Sequence, residues 1–100
     1  MSPHPGPDFA AYEQACLADG FDEVLVRDWP PGTVVPTHHH PFALRARVVA
    51  GEMWLGAPGA QPRHLMPGDE FSLAAGALHD ERYGPAGATF WVARRQPGPA

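Results

Sequence analysis

The spacing of apolar positions changes period once along the chain, at Gly20. Over residues 8–20, "DFAAYEQACLADG", the apolar Phe9, Tyr12, Cys16 and Leu17 recur at helical spacing. Asp8 suits the N-cap and Gly20 the C′ position, so one short helix is expected here. Cys16 falls on the apolar stripe and reads as a packing residue rather than a reactive thiol. From residue 21 the pattern becomes short runs with period two, broken by Pro and Gly. "FDEVLVRDW" (21–29), "TVVPTHHH" (33–40), "ALRARVVAG" (43–51) and "EMWLG" (52–56) come first. "RHLM", "EFSLA", "HDERY" and "ATFWVARR" follow, separated by the turns "PGD", "AAGA" and "GPAG". These are about eight strands, spaced as in an all-β sandwich or barrel. Residues 1–7 and 96–100 are proline-rich and read as flexible tails around a single domain, 8–95.

Composition narrows the function. The 13 prolines and 11 glycines fit many turns and no long helix. A net charge of −4 argues against nucleic acid, which calls for a clustered positive surface. All seven basic residues are arginines, so lysine Schiff-base chemistry is excluded. One cysteine permits no intrachain disulfide. The N-terminal stretch lacks the basic and apolar regions of a signal peptide, and no run approaches the ~20 apolar residues of a membrane helix. The expectation is a cytoplasmic protein without a membrane partner.

The stretch "HHHP" (38–41) holds the candidate chemistry. On a strand, His38 and His40 point to one face and His39 to the other. Two imidazoles at i and i+2 can share one metal ion, with bonds of ~2.0–2.1 Å. Further ligands must come from elsewhere: His79 opens the "HDERY" strand, His64 lies in "PRHLM", and His4 sits in the tail. The competing reading is a solvated turn.

The spacing around these histidines resembles the cupin family. Its first motif runs glycine, five residues, His-x-His, three or four residues, glutamate, six residues, glycine; here Gly32, His38, His40, position 44 and Gly51 fall in register. Its second runs glycine, five residues, Pro-x-Gly, two residues, His, three residues, Asn; here Gly68, Gly76 and His79 match. Leu44 replaces the glutamate, Ala74 the proline and Tyr83 the asparagine. The resemblance covers residues 21 to 95 and implies a small jelly-roll β-barrel of the cupin (RmlC-like) type behind a short helix. It implies a metal site on His38, His40 and His79, with His39 outward. The strand's own alternation turns Leu44 inward beside the histidines and Arg45 and Arg47 outward. The pocket is then expected to present three imidazoles and no carboxylate. The alternative is a degenerate cupin that keeps its histidines as packing.

Glu81 and Tyr83 share the parity of His79. Either would orient a ligand imidazole or act as an acid–base group; the plainer roles are an ion pair with an arginine for Glu81 and core packing for Tyr83. Trp54, Trp91, Phe71 and Phe90 read as core or interface residues, and Gly32, Gly51, Gly68 and Gly76 as turn residues. Arg82 has the wrong parity for the pocket, so no arginine is assigned to it. The expected cofactor is one divalent ion (Fe, Zn, Ni, Mn or Co) and the expected partner a small-molecule ligand or substrate. A dioxygenase-type enzyme leads. A metal-dependent isomerase or lyase and a non-enzymatic sensing module are the alternatives. Cupins of this size commonly pair as homodimers, which covers exposed strand edges.

Overall fold

The computed structural model describes residues 8–97. The expected tails, 1–7 and 96–100, therefore fall outside the described residues except for positions 96 and 97. Helix α1, Phe9–Ala18, begins where Asp8 Oδ1 accepts a hydrogen bond from the Ala11 N–H at 2.9 Å. It ends at Gly20, whose φ of +96° needs no Cβ to be accommodated. Tyr12 and Cys16 are buried, but Leu17 is 44% exposed, so the inward stripe is narrower than its spacing predicts. No helix among the described residues is long and apolar enough to cross a membrane.

Six strands follow: β1 Glu23–Trp29, β2 Val34–His38, β3 Ala43–Gly56, β4 Arg63–Leu65, β5 Glu70–Leu73 and β6 His79–Arg95. The expected eight become six because two pairs fuse. Residues 43–51 and 52–56 form one strand, and so do 79–83 and 88–95. Every pairing is antiparallel, and β6 is the hub. It pairs with β1 from Glu23↔Arg94 to Trp29↔Ala88, with β2 at Val34↔Arg82 and His38↔His79, and with β3 along most of its length. β3 also takes β5 on its first half and β4 on its second.

Gly32, Gly68 and Gly76 are turn residues as expected, whereas Gly51 and the glycines of "GPAG" are bends within these long strands. The β3–β6 register shifts between Val48 and Ala50 and again between Gly51 and Met53. The first places one extra residue on β3 and the second places extra residues on β6, so the inward face changes parity once on each strand, as bulges do. Leu44, Ala46 and Val48 are buried with even numbers, then Met53 and Leu55 with odd ones. On β6, Tyr83 belongs to the same core before the bend, and Ala88, Phe90 and Val92 after it. The sheet thereby curls around one apolar core. On its outer side a second cluster of Tyr12, Cys16, Val24, Val49, Trp91 and Ala93 seats the helix. Trp91 anchors it, with the Phe9 ring edge-on at 5.6 Å and the Tyr12 ring at 5.5 Å.

Gly51 shows why the bend demands glycine. Its φ is +74°, and a Cβ there would run into the Gly87 carbonyl and the Ala88 Cα. Strain plus backbone collision makes Gly51→Ala cost about 2–3 kcal/mol. Urea denaturation would measure it, and a loss below ~0.5 kcal/mol would show that the bend yields freely.

Candidate metal centre

The histidines meet because two distant segments are placed in register. β2 ends at His38, directly opposite His79 at the start of β6. His40 lies two residues beyond β2, in the connection to β3, rather than on the strand itself. Its carbonyl accepts from the Gly76 N–H at 2.8 Å, which ties the turn before β6 to the histidine loop. Ring centroids of His38 and His79 are 4.2 Å apart, those of His38 and His40 4.8 Å, and those of His40 and His79 5.2 Å. One nitrogen from each of the three lies within 4.8 Å of the others. His79 is buried, while His38 and His40 are half-buried and His39 is exposed.

Hydrogen bonds select which nitrogens face one another. His38 Nδ1 lies 2.8 Å from the Pro36 carbonyl and His79 Nδ1 2.9 Å from the Ala77 carbonyl. A carbonyl can only accept, so each Nδ1 carries the proton and donates. In the neutral rings Nε2 is then an open lone pair, the state a metal ion requires. The Phe42 ring stacks on His40 at 4.9 Å. Burial first, and the neighbouring His38 and His79 next, hold the His40 pKa below the ordinary imidazole value, against an upward pull from Glu81. This donor set suits a borderline divalent ion, so the residues present fit the expected group.

The expectation of a carboxylate-free pocket is corrected here. Glu81 is 8% exposed, and its Oε2 stands 3.5 Å from His38 Nε2 and 3.6 Å from His79 Nε2. Its other oxygen, Oε1, accepts from the Tyr83 hydroxyl. Among the described residues Glu81 stands against these histidines rather than against an arginine. Tyr83 is buried and stacks on Trp29 at 5.2 Å, so packing and the bond to Glu81 are both its roles. Burial first, then the bond to Glu81 and its charge, push the Tyr83 pKa upward, which keeps the phenol protonated as a donor.

The cluster opens on a cavity of about 170 Å³, many times what one water needs. Leu25, Val35, Phe42, Leu44, Leu73 and Val92 form an apolar wall. Leu44 is buried there, as its parity predicts. Phe71 and Phe90 serve core and cavity alike. Arg27 and Arg94 also line it and were missed by the sequence reading. Their signal was parity: Arg27 shares a face with Leu25 and Trp29, and Arg94 with Phe90 and Val92. Arg94 binds Glu23 at 2.7 Å. Arg45 and Arg47 face away, paired with Asp19 and Glu70. His64 is remote from the cluster: it stacks on Trp54 at 4.6 Å and bonds Glu52 at 2.8 Å. His4 lies outside the described residues.

No protein-family model matches the chain, and no curated protein matches it. Solved structures do. The DMSP lyase DddQ from Ruegeria pomeroyi is 28% identical over 78% of this chain and 40% of that one, with a TM-score of 0.69. This chain thus spans about two fifths of that lyase's length. A protein with a double-stranded β-helix domain from Klebsiella pneumoniae is 25% identical over 73% of this chain and 65% of its own, with a TM-score of 0.61. An RmlC-like cupin from Shewanella frigidimarina is 19% identical over 75% of this chain and 66% of its own, with a TM-score of 0.63. Strands bent around one core, with the histidines brought together where β2 meets β6, give this chain the jelly-roll fold of RmlC-like cupins.

Proposed function

We propose that this chain is a metal-dependent enzyme acting on a small organic molecule, with one divalent ion held by His38, His40 and His79. The observation that carries the reading is the convergence of three imidazole nitrogens within 4.8 Å on the wall of a cavity. When bound, the ion supplies Lewis-acid polarisation of an oxygen-bearing substrate or a docking point for dioxygen. The carbonyls of Pro36 and Ala77 fix the tautomers of His38 and His79. The apolar wall keeps bulk water away from the reacting end of the substrate, and the Arg27 guanidinium favours a substrate with an acidic group.

The leading form is an O₂-using, dioxygenase-type reaction, because three histidines, with or without Glu81, leave positions for substrate and oxygen. A second form is a lyase. It is favoured by the likeness to DMSP lyases.

Stripped protein reloaded separately with ferrous iron, zinc or cobalt tests both. O₂ uptake that needs ferrous iron, measured across a panel of small keto and hydroxy acids, is the result expected of the dioxygenase form. Anaerobic turnover of DMSP with zinc or cobalt would select the lyase form instead. Tight metabolite binding with no turnover under any metal would overturn the enzyme reading and leave a ligand-binding module.

A further inference from the structure

We infer that Glu81 is a fourth protein ligand, restoring to the site from β6 the carboxylate that Leu44 removes from β3. The inference rests on the three-histidine reading above and extends it. Position 44 is apolar and buried, so no ligand can come from there. Glu81 lies two residues beyond His79 on the same face of the same strand, and faces Val35 of β2 in the register.

Three features of Glu81 fit ligation better than a hydrogen bond or an ordinary ion pair. The first is distance. Its Oε2 stands 3.5 and 3.6 Å from the two Nε2 atoms, beyond hydrogen-bond length. Yet both separations are short enough for the carboxylate and the two imidazoles to reach one common ion with bonds of ~2.1 Å. The second is the proton count. Both Nδ1 atoms hold the ring protons, so neutral Nε2 has none to offer the carboxylate. Nε2 lone pairs facing a carboxylate make an arrangement that a bound cation favours. The third is burial. Glu81 is 8% exposed and pairs with no arginine among the described residues, and a buried carboxylate without positive charge is costly.

Tyr83 completes the arrangement. Its hydroxyl donates to Oε1, which leaves Oε2 free and aimed at the histidines. Its ring is held by stacking on Trp29, so the donor itself is fixed. Tyr83 is thus a positioning residue for the ligand carboxylate. A carboxylate in the site also lowers the net charge on the ion and moderates its Lewis acidity.

The test is metal binding, not turnover. Stripped parent, Glu81→Gln and Tyr83→Phe are titrated with cobalt against a chromophoric chelator, and the visible cobalt spectrum is recorded. Glu81→Gln is expected to weaken binding at least tenfold and to change the spectrum. Tyr83→Phe is expected to weaken it less while keeping the parent spectrum. Unchanged affinity and spectrum in Glu81→Gln, with binding lost in His79→Ala, would overturn the Glu81 assignment and leave the three-histidine site standing. A parent that binds no cobalt would sink the three-histidine reading itself, and this inference with it. Glu81→His guards against a variant that fails to fold. It offers a different ligating atom at the same place, so it should hold cobalt with an altered spectrum, and a spectrum identical to the parent's would count against the proposal.

Discussion

Replacing His79 by alanine is expected to abolish stoichiometric metal binding while leaving a folded β-barrel. His79 is 2% exposed and faces His38 across the β2–β6 register, so no water or neighbouring side chain can take its place cheaply. Outer-shell partners of a metal site are worth ~10–100-fold in affinity, and a direct ligand should exceed that, so a loss of at least ~100-fold is expected. The same change has a thermal signature. An ion that binds only the folded chain stabilises it by ~4 kcal/mol at a thousandfold excess over Kd. For a domain near 100 residues that raises Tm by roughly 15–30 °C. The parent should show this rise on adding metal, and His79→Ala should not. Elemental mass spectrometry and melting curves with and without metal decide it. A variant that keeps one equivalent and the full rise would mean that His79 is packing and the centre lies elsewhere.

The outcome for the site follows from what local sequence can and cannot encode. His38 and His40 were legible from strand alternation and His79 from the resemblance to the cupin motifs, whose glycine spacings hold in the structure: Gly76 reaches the His40 carbonyl, and three residues later His79 faces His38. Leu44 was legible from alternation alone. Glu81 was legible as a parity partner of His79, but its distance from the histidines depends on how β2 lies on β6, which no local pattern states. Arg27 and Arg94 escaped for the same reason. Arg27 pairs with Phe90 and Arg94 with Glu23, far apart in the sequence, and Arg94 was never set against a cavity until β1 and β3 flanked β6. The strand count failed at Gly51 and at 84–87 because a glycine with positive φ serves a turn and a bulge equally well. Only the partner strand tells the two apart.

That dependence on β3–β6 pairing makes Met53 the core position with the most to lose. Met53 is 0% exposed and is among the largest of the fully buried side chains. It stands just past the second register shift, opposite Leu65 on β4 and Tyr83 on β6. Both neighbours are themselves buried, at 2% and 4% exposure, and belong to the same cluster. Strands hydrogen-bonded on both sides cannot close over a deleted side chain, so Met53→Ala should fall in the upper part of the ~2–5 kcal/mol range for such truncations. Met53→Leu conserves volume and should cost less than ~1.5 kcal/mol. Urea denaturation of the metal-free proteins measures both, and a loss under ~1 kcal/mol in Met53→Ala would mean that the core relaxes around the gap. The effect on metal binding should be of the opposite kind. His38 and His40 are carried by β2 and its following loop, and His79 by the turn at Gly76, none of which rests on Met53. Tyr83, opposite Met53, links this side chain to the site through Glu81. Cobalt affinity in Met53→Ala is therefore expected to stay within ~10-fold of the parent. His79→Ala loses the metal and keeps the barrel; Met53→Ala weakens the barrel and keeps the metal. If the two properties fell together in both variants, the centre would be a structural element of this fold rather than a site built upon it.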